Sequence, residues 1–130
     1  LKKLFPEEEF QFEAPSPELK LNADRTQIEQ VLINLLKNAR EACNRKLDKN
    51  IQVKVKKLST GNTALTISDN GEGILPDVLD KIFVPFFTTK TSGSGIGLSL
   101  CKQIMTLHEG SINVKSEVGK GSSFILTFPK

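Results

Sequence analysis

Between Asp24 and about Leu47 apolar residues return at helical intervals. Ile28, Val31, Leu32, Leu35, Leu36, Ala39, Ala42 and Cys43 fall on one face of an α-helix. Asp24 followed three residues later by Gln27 is a capping-box signature and marks the expected start. Asn34 and Asn38 stand one above the other on the shoulder of the apolar stripe. Asparagine is a mediocre helix former because its side chain competes for backbone hydrogen bonds. The pair therefore has two readings: a satisfied polar rim, or amide carbonyls turned into a cleft where one can ligate a hard cation such as Mg²⁺.

Elsewhere the period is two. Glu9 to Ala14 alternates around Phe10 and Phe12, and Leu19, Leu21 and Ala23 alternate again, predicting two short strands separated by Pro15-Ser-Pro17. Asn50 to Ser59 carries Ile51, Val53 and Val55 on one face, and Gly61-Asn62 turns the chain into a hairpin partner ending at Asp69. Asp69-Asn-Gly-Glu-Gly73-Ile74 breaks the alternation. Pro76 opens a short helix (Asp77 to Ile82), Phe83-Val-Pro-Phe-Phe87 follows, and Thr88 to Gly95 reads as a mobile polar loop. Gly95-Ile-Gly97 opens a second amphipathic helix, ended by Gly110, with Ile96, Leu98, Leu100, Cys101, Ile104, Met105 and Leu107 as its buried candidates. Ile112 to Ser116 and Ser123 to Phe128 close the chain as two strands joined through Val118-Gly-Lys-Gly121. This order predicts an α+β fold: a two-layer α/β sandwich with one mixed, mostly antiparallel sheet and helices packed on one face.

Composition narrows the class. A hydrophobic content of 38% with 25% charged residues describes an ordinary globular domain, and 130 residues suffice for one core. Residues 9–130 read as that domain, and Leu1 to Glu8 resembles the end of a preceding linker or helical domain. A net charge of +3 without a basic stripe gives no case for nucleic acid, and no apolar run is long enough to span a membrane; the location expected for this domain is cytoplasmic, whether or not the full-length protein is membrane-attached. Cys43 and Cys101 lie far apart without metal-ligand spacing and read as buried free thiols.

Two glycine clusters invite chemistry. Gly93-Ser-Gly95-Ile-Gly97 at a helix start offers main-chain N–H groups and a positive dipole end to a phosphate. Neither the GxxxxGK[ST] phosphate loop nor the strand that must precede a dinucleotide fingerprint is present. Asp69 before its Gly-x-Gly bend is either a turn former or an acceptor for an exocyclic amine.

Together these pieces resemble the Bergerat-fold ATP-binding superfamily. Asn34-Leu-Leu-Lys-Asn38-Ala is similar to its N box, Asp69-Asn-Gly-Glu-Gly73 to its G1 box and Phe83-Val-Pro-Phe-Phe87 to its F box. Gly93-Ser-Gly-Ile-Gly97 is similar to its G2 box, and Gly119-Lys-Gly121-Ser122 to its last glycine box. Within the superfamily the F box and the closing glycine box resemble the catalytic domain of two-component sensor histidine kinases. Pro85-Phe-Phe-Thr-Thr-Lys90 with its short lid is similar to the nitrogen-regulator and sensory-domain-linked members.

The resemblance implies ATP as phosphoryl donor, ADP as product and Mg²⁺ held by Asn38. It implies Asp69 on the adenine amine, helped by a water on Ser122, with Gly71 and Gly73 letting the backbone pass the base closely and Ile74 and Phe83 among the cofactor-binding residues. Phe83, Phe86 and Phe87 read first as packing that anchors the lid and docks a partner helix. Gly95, Ile96, Gly97 and Leu98 would meet the phosphates, and Thr89 to Gly93 would form the lid. Asn34, Lys37 and Lys90 are the catalytic candidates. ATP-hydrolysing relatives carry a glutamate where Asn34 stands; an amide cannot take up a proton, so hydrolysis is not the expected task. Many kinases of the family have a basic residue where this chain has Glu41, leaving Lys37, Arg40 or Lys90 to clamp phosphate. The sole histidine, His108, reads as structural, which places the phosphoacceptor on a dimerisation hairpin preceding Leu1. The implied partners are that hairpin and a response regulator, with no nucleic acid and no membrane contact by this domain. The alternatives are an anti-sigma-type serine kinase and a nucleotide-binding module without transfer activity.

Overall fold

A computed structural model of the chain describes residues 11–13, 24–43, 47–85 and 97–129. Five strands, β1 (Gln11–Glu13), β2 (Ile51–Lys57), β3 (Thr63–Asp69), β4 (Ser111–Glu117) and β5 (Gly121–Phe128), form one sheet in the order β1-β2-β3-β5-β4. Among the described residues only the β1–β2 pair is parallel, so the sheet is mixed and mostly antiparallel as expected. The strand expected at Leu19 to Ala23 and the loop Thr88 to Gly95 lie outside the described residues.

The period-two pattern becomes rungs across the sheet. Val55, Leu65, Leu126 and Ile112 form one inward rung, and Val53, Ile67, Phe124 and Val114 form the next. Helices α1 (Arg25–Ala42) and α3 (Gly97–Leu107) cover this face, and Val31, Leu35, Leu36, Cys101 and Met105 fill the space beneath them. Each such side chain contributes about 1.5–3 kcal/mol through its burial.

The helix ends show what periodicity could not. Asp24 Oδ1 accepts from Gln27 N at 3.0 Å, as the capping signature predicts. The other half of a capping box is absent: Asp24 N donates instead to His108 Nε2 at 3.0 Å, beyond the end of α3. His108 Nδ1 lies 2.9 Å from Ile104 O, so Nδ1 carries the proton and Nε2 accepts. His108 is thus a joint between the two helices. Helix α1 stops at Ala42, five residues short of Leu47, which is fully exposed. There the Ala42 carbonyl accepts from Glu72 N at 3.3 Å, so the bend after β3 meets the helix end.

Helix α2 is a single turn, Pro76–Leu79, followed by turns rather than helix to Ile82. Leu107, expected in the core, is 68% exposed because it occupies the last, outward position of α3. The left-handed residue that closes the helix is Glu109, whose φ is +59°, and not Gly110. Gly110 N donates to Met105 O and Glu109 N to Thr106 O, a Schellman arrangement. The glycine is needed one residue later, where an added Cβ would lie 2.3 Å from Thr127 O. Glu109→Gly should therefore stabilise the chain. Relief of about 1–2 kcal/mol of left-handed strain exceeds the roughly 0.4–1 kcal/mol of extra unfolded-state entropy. A urea midpoint that fell instead of rising would contradict this.

Candidate functional site

At one end of the sheet the inward face turns polar. The rung after Val53–Ile67–Phe124–Val114 is Ile51, Asp69, Ser122 and Ser116. Each of the last three continues an apolar inward series in its own strand, so a carboxylate and two hydroxyls stand where core side chains would otherwise be. Asp69 Oδ1 accepts from Gly71 N at 2.9 Å, and the Ser122 main-chain N–H also binds the carboxylate. Burial nevertheless pushes its pKa up, because the loss of water outweighs those two hydrogen bonds. Ser122 is 6% exposed, and its Oγ lies 2.9 Å from Ser116 Oγ. Ser116 Oγ accepts from Ile74 N at 2.7 Å and reaches Gly121 O at 3.1 Å.

The bend Asn70 to Ile74 forms one wall and is clamped from both sides. Glu72 N reaches Ala42 O, and Glu72 O accepts from Gly119 N at 2.9 Å. Gly71 and Gly73 press on protein backbone: an added Cβ would lie 2.5 Å from Ala42 O and 2.4 Å from Glu117 O respectively. Asn70 closes the outer side, its Oδ1 accepting from Asn50 N at 2.8 Å and its Nδ2 donating to Asp48 O at 2.8 Å.

The shoulder of α1 runs from the start of α3 to this bend. Asn34 Oδ1 accepts from Gln30 Nε2 at 3.0 Å, and its Nδ2 donates to Gly97 O at 3.3 Å and approaches Cys101 Sγ at 3.8 Å. Asn34 thus ties the first turn of α3 to α1. The Cys101 thiol, fully buried beneath it, is pushed up to about 11 by burial and stays protonated. Asn38, half-buried, lies one turn further along, and Ala42 another turn on, against the bend. From Asn34 to Ala42 the helix rises roughly 12 Å, so one edge of α1 links the opening of α3 to the polar rung.

Of the expected site residues, Asp69, Gly71, Gly73, Ile74 and Ser122 gather at the polar rung. Asn34, Gly97 and Leu98 meet at the start of α3, where Leu98 is half-buried, and Asn38 lies between the two groups. Lys37 is exposed on α1. Phe83 is half-buried against the edge of the core, with Lys102 Nζ 5.7 Å from its ring centroid. Thr89, Lys90, Gly93, Gly95 and Ile96 lie outside the described residues. Ser116, Asn70 and Gln30 were not singled out from the sequence. Ser116 was legible in principle, as the polar break two positions after Val114, but its partners come from other strands.

The donor set bears on the implied metal. Among the described residues no cluster of three or more His, Cys, Asp or Glu side chains exists. A single half-buried asparagine fits Mg²⁺, which keeps most of its shell as water and substrate oxygens and needs few protein ligands.

Residues 23–130 match the family of histidine kinase-, DNA gyrase B- and HSP90-like ATPases. The chain is 42% identical over 110 residues to the sensor histidine kinase ZraS of Salmonella typhimurium, covering 85% of this chain and 23% of that protein. It is 43% identical over 109 residues to the signal transduction histidine-protein kinase AtoS of Escherichia coli, covering 84% of this chain and 18% of that protein. The chain therefore spans about a fifth of the length of these relatives. Its structure is similar to the nucleotide-free catalytic domain of the histidine kinase ThkA, with a TM-score of 0.84 at 37% identity over 99% of this chain and 87% of that one. ThkA in complex with the response regulator protein TrrA gives a TM-score of 0.79 at 34% identity, covering 99% of this chain and 38% of that one. With its glycine boxes on this scaffold, the chain belongs to the histidine kinase-, DNA gyrase B- and HSP90-like ATPase family, and within it to the catalytic domains of sensor histidine kinases.

Proposed function

We propose that this chain binds Mg-ATP and presents its γ-phosphoryl group to a histidine on a separate dimerisation hairpin of the same full-length kinase. The observation that carries this reading is the polar rung. A partly buried carboxylate, held by two main-chain N–H groups at the end of an otherwise apolar inward face, suits the exocyclic amine of adenine. The triphosphate then lies along the shoulder of α1 toward the opening of α3, where main-chain N–H groups and the helix dipole favour negative charge. Gly97 and Leu98 supply that opening, Lys37 and Lys90 supply cations, and Asn34 acts by holding the opening in place.

Mg²⁺ held by Asn38 and the phosphates would neutralise oxygen charge during transfer. Transfer breaks the bond between the β-bridging oxygen and the γ-phosphorus, forms a nitrogen–phosphorus bond on the acceptor imidazole, and releases ADP. Within this chain His108 does not serve as acceptor, because both ring nitrogens are engaged in the joint between α1 and α3. Asn34 cannot serve as the base for water attack, since its amide takes no proton and both ends are occupied. A response regulator would receive the phosphoryl group in turn, as fits the similarity to ThkA bound to TrrA. Among the described residues no helix is long and apolar enough to cross a membrane. We place the domain in the cytoplasm.

Mixing the chain with a histidine-bearing hairpin and γ-labelled ATP should yield label on the hairpin. Label appearing only as free phosphate would contradict the reading. Asn38→Ala should weaken Mg-ATP binding at least about tenfold in calorimetric titration, while helicity is kept because alanine favours the helix. Unchanged Mg-ATP affinity would remove Asn38 from the metal site.

A further inference from the structure

We propose that Asn70 is a positioning residue for the base end of the site: by tying the bend after β3 to the segment ahead of β2, it aims the Gly71 N–H at the Asp69 carboxylate. The proposal rests on the nucleotide-binding reading above and adds a residue that acts on the base through Asp69. The Asn70 side chain reaches two other parts of the chain. Its Oδ1 accepts from Asn50 N at 2.8 Å and from the Cys43 thiol at 3.5 Å, and its Nδ2 donates to Asp48 O at 2.8 Å. The two main-chain partners fix which end of the amide is oxygen, because an N–H only donates and a carbonyl only accepts.

The two hydrogen bonds that hold Asp69 differ in their support. The Ser122 N–H is carried by β5, whose pairing with β3 runs from Thr63–Phe128 to Asp69–Ser122. The Gly71 N–H lies beyond the end of β3, where no strand ladder fixes it. It belongs to the planar peptide unit that joins Asn70 to Gly71, so anchoring Asn70 anchors one end of that unit. Glu72 steadies the bend one residue further on, through Ala42 O at 3.3 Å and Gly119 N at 2.9 Å. The two main-chain contacts of Asn70 are shorter than either and lie next to the unit that points at the carboxylate. Residues 48–50 are exposed, so water can take the place of a truncated Asn70 on Asn50 N and Asp48 O. Truncation therefore costs the fold little, while the carboxylate keeps only its Ser122 bond and is aimed less firmly at the adenine amine.

Nucleotide titrations and amide spectra of the 130-residue chain test this. Asn70→Ala should lower ADP affinity about fivefold, within the worth of one hydrogen bond, and ATP affinity by the same factor because the effect is at the base. Its urea midpoint should stay close to that of the unaltered chain. In the unaltered, nucleotide-free chain the Gly71 amide proton should shift with the ionisation of Asp69 as pH is varied, and Asn70→Ala should largely abolish that dependence. Should Asn70→Ala not fold, Asn70→Ser keeps a polar side chain too short to span Asn50 N and Asp48 O together, and should move both readings in the same direction. Unchanged ADP affinity, or weaker ADP binding with the Gly71 dependence intact, would leave Asn70 a merely structural residue and overturn the proposal. Failure of the unaltered chain to bind ADP would instead remove the nucleotide reading, and this proposal with it.

Discussion

Replacing Asp69 with asparagine should cost about a hundredfold or more in ADP affinity while leaving the unliganded chain more stable at neutral pH. The loss follows from the inversion of half of the acceptor group. Asparagine can still accept from Gly71 N, as Asp69 Oδ1 does at 2.9 Å, but its amide nitrogen would oppose the adenine amine with a second donor. Sites built to hydrogen-bond a polar group reject the mismatched one strongly, because the buried partners are left unpaired. The gain has a different origin. Burial raises the pKa of Asp69 above its ordinary value, so the fold disfavours the ionised form. A group whose folded pKa is raised contributes its stability below the unfolded pKa and loses it as pH rises through the folded value. Asparagine carries no such dependence. The variant should thus gain at neutral pH, near the lower end of the roughly 0.5–2 kcal/mol of stabilising replacements, and gain nothing below the ordinary carboxylate range. Paired urea denaturations at the two pH values, with an ADP titration, read all of this. Equal ADP affinity, or a variant less stable at neutral pH, would refute the account of the carboxylate.

Gly121→Ala should be the most destabilising single methyl addition in the closing hairpin. An added Cβ would lie 2.0 Å from Asp69 O and 2.9 Å from both Asp69 C and Asn70 Cα, and φ at Gly121 is +131°. Neither side can yield cheaply, because Asp69 pairs with Ser122 and Gly121 with Glu117 across the sheet. Overpacking of about 1–3 kcal/mol and backbone strain of about 1–3 kcal/mol combine to roughly 2–6 kcal/mol, a large share of the 5–15 kcal/mol that holds a typical domain. Gly119, two residues earlier, is the control. Its φ is +84° but an added Cβ meets nothing within 4 Å, so Gly119→Ala should lose only about 1–2 kcal/mol. Urea melts of the two variants separate the steric part from the conformational part. A loss at Gly121 no larger than that at Gly119 would mean that the Asp69 strand moves aside.

Much of the scaffold was legible from residue order because its signals are local. The stripe from Ile28 to Cys43 fixed the buried face of α1, and alternation in β2, β3, β4 and β5 fixed which side of each strand enters the core. The break at Asp69 to Gly73 and the glycines near α3 and β5 marked where regular structure gives way. Element ends were less legible. The stop of α1 at Ala42 depends on a bend some thirty residues later, and the left-handed residue that closes α3 is Glu109, which composition gave no reason to choose.

The sequence by itself determined the faces, the turns and the family motifs, since periods of 3.6 and 2 are properties of neighbouring residues. Only the tertiary structure decided the partners. Asp69, Ser122 and Ser116 become one polar rung only when three strands take a common register. Asn34 reaches Gly97, 63 residues away, and His108 takes the main-chain N–H of Asp24, 84 residues away. A buried or half-buried polar atom must find a partner somewhere, and which partner it finds is set by packing across the core, not by position along the chain.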